Sequence, residues 1–477
     1  MSDWDIQVAA AREDMLEDLA KAGFVIKSSK LVEGDIECGG RTVAVDITLP
    51  DGFPYQPPRV RAVLGDGGLS WHAERDGGLC LWSDQDSGSL PWTSAEQLVQ
   101  RVQDWYAAEA ACWPGDTPDL DLERYWPRVG GLVLYPDLDG LVGKIAQYVR
   151  NPPNFVVWNS VRRNRRRDGC LVLDVGELAL PLRTAEQVMD IVDEQPDHAA
   201  MLRRGAVPLL LLRYWRQGNA GVLALRVTKA DRPEFKAVTA SHCGDATLQL
   251  RAGPDRDALS GKSVAVVGVG SIGSQVAELL ARTGVGSLTL VDGDIVLPGN
   301  LIRHTAIGAD IGRAKVESVR ARIAAGPAQP IVRTVDSRLT TPTEAATLLE
   351  DHDVVVDATA SGLASRLLMN GSVNLGRPVI SVCLVREGQV ARIDRTPLRE
   401  GEKHAPAAPH APPGDLLFEG GCGEPISPAP MWASTAAAAL AAGAVTDLLT
   451  GRNEYPATVL QVLVEGDGAC GSVGSAA

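Results

Sequence analysis

The run Val264-Ala265-Val266-Val267 leads straight into Gly268-Val269-Gly270-Ser271-Ile272-Gly273. A short apolar run of this kind reads as a strand buried on both faces. The glycines permit a tight turn and a close approach of backbone to phosphate, and the helix that follows through Leu280 offers N–H groups to negative charge. A second run, Leu288-Thr289-Leu290-Val291, ends at Asp292, where a carboxylate can accept hydrogen bonds from ribose hydroxyls. Further buried strands are predicted at 353–357 and 378–382, and a long packed helix at 434–449. Residues 255–477 therefore read as a doubly wound α/β domain. NAD and ATP both fit the glycine turn and Asp292.

Residues downstream separate the two. Asp292-Gly293-Asp294 leads to Asn300-Leu301-Ile302-Arg303, then Ile311-Gly312-Arg313-Ala314-Lys315, and Asp357-Ala358-Thr359. Hydride transfer has no need of this set. Attack of a carboxylate on an α-phosphate expels pyrophosphate, which calls for cations on the phosphates and an acid for magnesium. Arg303 and Lys315 supply the cations, and Asp357 the Mg2+ ligand. Over about 259–451 the chain resembles the ubiquitin-activating enzymes and their bacterial ThiF/MoeB adenylating relatives of thiamine and molybdopterin biosynthesis. The resemblance implies a Rossmann-like adenylation domain binding ATP through Gly268, Gly270, Gly273, Asp292, Asn300, Arg303 and Lys315, with Asp357 on magnesium. It also implies a homodimer with an activating arginine given by the other subunit; Arg251 and Arg256 lie just upstream. Many bacterial members carry two Cys-x-x-Cys pairs for zinc. The chain has none, so no zinc is expected.

The whole chain has 477 residues and 45% hydrophobic content, too much for one core, so two or three domains are expected. A formal charge of -14 argues against a nucleic-acid scaffold. The N-terminus lacks the features of a signal peptide, and no stretch reads as 18 apolar residues, so a cytoplasmic protein without a membrane partner is expected. The 8 cysteines are scattered, without the density of a disulfide scaffold, and free thiols are the expectation.

Residues 1–115 read as an α+β domain. A helical pattern at Met15, Leu16 and Leu19 precedes alternating strands at Val43, Val45, Ile47 and Leu49 and at Val60, Ala62 and Leu64. The turn Phe53-Pro54-Tyr55-Gln56-Pro57-Pro58 cannot continue a central strand, because proline lacks the donor. Thr93-Ser94-Ala95-Glu96 reads as a capping box before the apolar stripe Leu98, Val99, Val102, Trp105 and Tyr106. Between them stands Trp71-His72, followed by Gly77-Gly78-Leu79-Cys80-Leu81-Trp82 and Pro91-Trp92-Thr93. A cysteine in such a setting can be packing alone. The order of turn, histidine, cysteine, tryptophan and helix is similar to the ubiquitin-conjugating fold over about 10–113, which implies Cys80 as a thioester carrier. Eukaryotic conjugating enzymes have His-Pro-Asn upstream; here His72 is followed by Ala73-Glu74, so the asparagine that stabilises an oxyanion is missing. His72 or a backbone N–H takes that role, or His72 is a structural histidine bonded to a loop carbonyl.

Residues 125–250 read as a mixed α/β connecting domain, with a helix near 141–149, apolar runs at 170–173 and 209–212, and no catalytic signature. Its arginines Arg162, Arg163, Arg165, Arg166 and Arg167 could grip phosphates or an acidic partner, but the run reads first as a solvated loop. Two cysteines in the last domain are candidate carriers. Cys383, inside an apolar strand, reads as core. Cys422, in Gly420-Gly421-Cys422-Gly423-Glu424-Pro425, matches the crossover-loop cysteine of activating enzymes.

A conjugating domain followed by an activating domain resembles the bacterial fusions of antiphage operons, CBASS included. That resemblance implies activation of a partner protein's C-terminal tail, either a ubiquitin-like protein or a cyclic-nucleotide synthase, and transfer from Cys422 to Cys80 and then to an acceptor lysine. Sulfur-carrier activation for cofactor biosynthesis and a non-catalytic nucleotide-binding scaffold are the alternatives.

Overall fold

A computed structural model describes residues 3–62, 70–82, 90–116, 119–151, 154–161, 169–228, 233–244, 247, 250–406 and 427–464, which fall into two compact units, 1–244 and 245–477.

The first unit opens with α1 (Asp3–Lys21) and an antiparallel meander of β1 (Val25–Ile26), β2 (Leu31–Cys38), β3 (Arg41–Thr48) and β4 (Arg59–Ala62), followed by α2 (Ala95–Ala110). Met15 and Leu19 of α1, Val45 and Ile47 of β3, and Leu98 and Val102 of α2 share one core. The helix cap sits one residue later than the predicted box. Ser94 is the N-cap and accepts from Gln97 N at 3.3 Å, while Thr93 Oγ1 turns back to Leu90 O.

The middle of the chain is chiefly β. Strands β5 (Arg128–Tyr135), β6 (Lys144–Asn151), β7 (Asn154–Val161), β8 (Gly169–Glu177), β9 (Leu209–Arg216), β10 (Asn219–Val227) and β11 (Phe235–His242) close a barrel in the order β10-β11-β5-β7-β6-β8-β9. Helices α3 (Ala185–Asp193) and α4 (Pro196–Arg203) connect the parallel neighbours β8 and β9. The helix expected near 141–149 is instead a turn and the start of β6. Gly143 sits at φ +72°, which ends any helix there, and 144–151 pairs antiparallel with both β7 and β8. The arginine run falls in 162–168, outside the described residues.

The second unit holds α5 (Arg256–Leu259), β12 (Ser263–Val267), α6 (Gly273–Thr283), β13 (Ser287–Val291), α7 (Lys315–Ala324), β14 (Ile331–Val335), α8 (Pro342–Asp351), β15 (Val354–Asp357), α9 (Gly362–Leu375), β16 (Val379–Val385), β17 (Val390–Thr396), α10 (Met431–Thr450) and β18 (Thr458–Val462). Its sheet runs β14-β13-β12-β15-β16-β17-β18, parallel through β16 and antiparallel beyond. The winding reverses between β12 and β15, which opens a crevice at their carboxyl ends. Helix α10 is long and apolar enough, by length and composition, to cross a membrane, contrary to the sequence reading. Its residues Ala437, Ala441 and Val445 are instead fully buried in the core of this unit.

Candidate functional site

The glycine loop sits at that crevice, and its glycines are steric requirements. A Cβ on Gly273 would stand 1.8 Å from Gly268 O, and one on Gly268, at φ +80°, would stand 2.7 Å from Thr359 Cα. The loop is thus pressed against the end of β15 on one side and the start of α6 on the other. No side chain caps α6, whereas Ser94, Thr184, Thr341 and Ser361 cap other helices. Two of the first N–H groups of α6 are already engaged, Ser274 N on Gly270 O at 3.0 Å and Gln275 N on Ile272 O at 3.1 Å, so an anion would meet the loop before them rather than the helix turn itself.

Asp292 stabilises the loop from the next strand. Its Oδ2 accepts from Val269 N and its Oδ1 from Asp294 N, each at 2.9 Å. A carboxylate offers about four lone-pair directions, so one on each oxygen is left for a diol. His304, missed in the sequence reading, supports the same loop: it is buried, and its Nε2 lies 2.7 Å from Val269 O while Nδ1 accepts from Ala306 N at 2.9 Å. Burial pushes the imidazole below its ordinary range, which keeps it neutral with the proton on Nε2.

The expected cations lie on internal partners. Lys315, at the start of α7, donates to Asp294 Oδ2 at 2.9 Å, and Arg338 donates to Asp294 Oδ1 at 2.8 Å. Burial works against the Asp294 charge, but these two hydrogen bonds outweigh it and hold the carboxyl below its usual range. Asn300 accepts from Leu297 N at 2.9 Å and shapes the turn that carries Arg303. Arg303 donates to the carbonyls of Ser427 and Ala429, both at 2.9 Å, just before α10.

Asp357 is 2% exposed at the end of β15. Its Oδ1 accepts from Thr359 N at 3.1 Å and Thr359 Oγ1 at 2.8 Å, and its Oδ2 from Ser365 Oγ at 2.5 Å and Ser381 Oγ at 3.0 Å. Magnesium needs a carboxylate lone pair, and two bonds on each oxygen use them all. As arranged, this residue does not fit a bound ion. Among the described residues no group of three or more His, Cys, Asp or Glu side chains is placed to hold a metal.

Residues 245–463 match the ThiF family. The second unit carries a ThiF-family domain. The adenylyltransferase and sulfurtransferase uba4 of Aspergillus terreus is 33% identical over 152 residues, 31% of this chain and 31% of that protein. The molybdopterin-synthase adenylyltransferase of Escherichia coli is 34% identical over 137 residues, 28% of this chain and 55% of its own length. The chain thus spans from under a third to about half of these relatives. A solved structure of E. coli MccB with ATP is similar at 19% identity, covering 44% of this chain and 65% of that one, with a TM-score of 0.34.

Of the cysteines in the ThiF-family domain, Cys383 lies in β16, half-buried and opposite Arg392 of β17. Burial pushes its thiol up. Cys422 lies outside the described residues, in 407–426. The described ends of that segment are anchored by Arg392, which holds the carbonyls of Ala405 and Pro406, and by Arg303 on Ser427 and Ala429.

In the first unit, Gly77 to Leu79 runs beside β4, with Leu79 N on Val60 O at 2.8 Å, and Cys80 N donates to His72 O at 2.8 Å. The same carbonyl accepts Trp105 Nε1 at 3.0 Å. Cys80 is half-buried, and burial pushes its thiol up against the pull of the Arg124 guanidinium. The His72 ring packs against Trp113, with centroids 3.8 Å apart and planes tilted by 37°, and its Nε2 is 3.1 Å from Asp116 Oδ2, an ion-pair distance outside hydrogen-bonding angles. Asp116 in turn pairs with the buried Arg216 of β9. None of these partners of His72 was visible in the sequence.

Proposed function

We propose that the chain uses ATP to adenylate the C-terminal carboxylate of a partner protein and passes the acyl group through Cys422 to Cys80. The carboxylate oxygen attacks the α-phosphorus, the bond to the bridging oxygen breaks, and pyrophosphate leaves. A thiolate then takes the acyl carbon and releases AMP, transthiolation moves it to Cys80, and a lysine amine of an acceptor protein ends the sequence in an isopeptide bond. The reading is supported chiefly by the two open lone pairs of Asp292 beside the glycine loop, with Lys315 as a nearby cation. Lys315 has three donor hydrogens and gives one to Asp294, so two remain for phosphate oxygens. Covalent linkage of the two carriers raises their effective concentration to the order of millimolar. No step is routed through a metal, because the Asp357 oxygens are engaged.

The carried protein is a ubiquitin-like protein or a cyclic-nucleotide synthase, and the setting we infer is cytoplasmic antiphage defence by a homodimer. A second reading is sulfur-carrier activation, favoured by the names of the uba4 and molybdopterin-synthase relatives. Cys80→Ser separates the two when the full chain is incubated with ATP and a candidate partner tail. The transfer reading expects a stable oxyester at position 80 and no isopeptide product. Conjugation at the parent rate without an oxyester would leave the adenylation reading standing and remove the transfer step.

A further inference from the structure

The loop leading to Cys80 is held by residues from outside the segment that resembles conjugating enzymes. Four consecutive carbonyls are engaged. Ser70 O and Ala73 O accept from Arg183, Trp71 O accepts from Arg124 and from Tyr125 Oη at 2.7 Å, and His72 O accepts from Cys80 N. Arg124 and Tyr125 come from the short helix that precedes the barrel, and Arg183 from the connection between β8 and α3. Tyr125 is fully buried between the two cations, with Arg183 at 4.4 Å and Arg124 at 5.0 Å from its ring centre. Trp71 fixes the loop further: its Nε1 donates to Ala179 O at 3.1 Å, and its ring belongs to the core outside the barrel.

We propose that Arg124 and Arg183 are positioning residues for acyl transfer at Cys80, fixing the 70–73 loop and setting positive charge against the negative charge that develops during the reaction. This rests on the transfer reading of Cys80. In transthiolation the Cys80 sulfur bonds to the acyl carbon, the carbonyl oxygen carries a transient negative charge, and the donor carbon–sulfur bond breaks. The donor sulfur leaves with the electron pair and takes up the proton given up by Cys80. A cation beside the reacting sulfur stabilises both its thiolate and the oxyanion in a site that excludes water. The conjugating-type asparagine is missing after His72, so some other group must meet that charge.

Two observations favour these arginines. The Arg183 Nε–H is buried without a hydrogen-bond acceptor, as is that of Arg124, although the latter lies 3.6 Å from Asp121. A buried donor of this kind gains from an oxyanion that arrives only during reaction. The second is charge: Arg124 opposes the desolvation of the Cys80 thiol, and Tyr125 and Arg183 are close enough to interact with it as well. The other charged groups that act on Cys80 are Glu74, Asp119 and Asp121, which raise its thiol and so depend on the arginines for balance. The His72 imidazole lies 3.1 Å from Asp116 Oδ2.

The test uses the full chain and follows iodoacetamide labelling of Cys80 by peptide mass as a function of pH, beside single-turnover transfer from the charged enzyme. Arg124→Gln is expected to move the labelling midpoint upward and slow labelling at pH 8 by about tenfold, the equivalent of about one pKa unit. Arg124→Lys keeps the charge and is expected to restore the midpoint, and Arg183→Gln to slow transfer by about tenfold or more. A labelling profile in Arg124→Gln identical to the parent, or an Arg124→Lys profile matching Arg124→Gln, overturns the proposal. Labelling does not require conjugation, so a shifted profile alongside full conjugation by Cys80→Ser would reject the transfer reading and leave the electrostatic coupling intact.

Discussion

Gly273→Ala tests the nucleotide loop with one methyl group. The added Cβ would stand 1.8 Å from Gly268 O and 3.2 Å from the Ala358 side chain. Side-chain carbons do not approach a carbonyl oxygen closer than 3.0 Å, so loop and helix must separate by more than about 1 Å. Gly268 has little room to yield, because even a Cβ on it would stand 2.7 Å from Thr359 Cα and 2.8 Å from the Ala358 carbonyl carbon. Overpacking of this kind costs typically about 1–3 kcal/mol, and more where backbone rather than side chain must move. The movement also displaces Val269, which Asp292 and His304 grip from two sides. The expected result is a folded chain with a lowered unfolding midpoint and ATP affinity reduced by at least about tenfold, the equivalent of about 1.4 kcal/mol. Urea denaturation and calorimetric titration with ATP read the two effects separately. Parent-like values in both would refute the claim that the glycine contact sets the site.

Three further outcomes follow from the same structure. Asp294 has a folded-state pKa below its unfolded value, so its pairing with Lys315 and Arg338 stabilises above the ordinary aspartate range near about 3.9 and is lost as pH falls through the lowered value. Asp294→Asn should flatten the acid limb of a stability-versus-pH series, and an unchanged limb would contradict the pairing. Trp71→Ala removes a buried indole and its bond to Ala179 O, and should cost about 3–5 kcal/mol by denaturant melts of the first unit's transition. Arg303→Met removes the donor to Ser427 and Ala429, and limited proteolysis should cut faster before α10, where an unchanged rate would count against this anchor.

The doubly wound domain is legible in the sequence because its strands are short apolar runs separated by helical periods, and because the glycine turn, weak alone, is followed by Asp292 at the end of the next strand. The barrel is not. In β8 and β9, Cys170, Val172, Leu209 and Leu211 fill the interior while Leu171, Leu173, Leu210 and Leu212 pack outside against α3 and α4, so both faces are apolar and the two-residue period disappears. Leu141, Ile145 and Val149 imitate a helical stripe, and only Gly143 marks the break. At the nucleotide site the residue types could be read, but not what they touch. Ser365 and Ser381, which use up one oxygen of Asp357, arrive from α9 and β16 with no local signal. The Cys80 site shows the same limit, since Arg124, Arg183 and Arg216 carry no motif and reach the loop only through the fold.

The claim that the loop from Gly268 to Gly273 and Asp292 form an ATP site is tested most directly by calorimetric titration of the full chain with ATP and with NAD, repeated on Asp292→Ala. The account predicts binding of ATP that is lost, or weakened by at least about tenfold, in the variant, with no comparable binding of NAD. Tighter binding of NAD than of ATP, or ATP binding indifferent to Asp292, would contradict it.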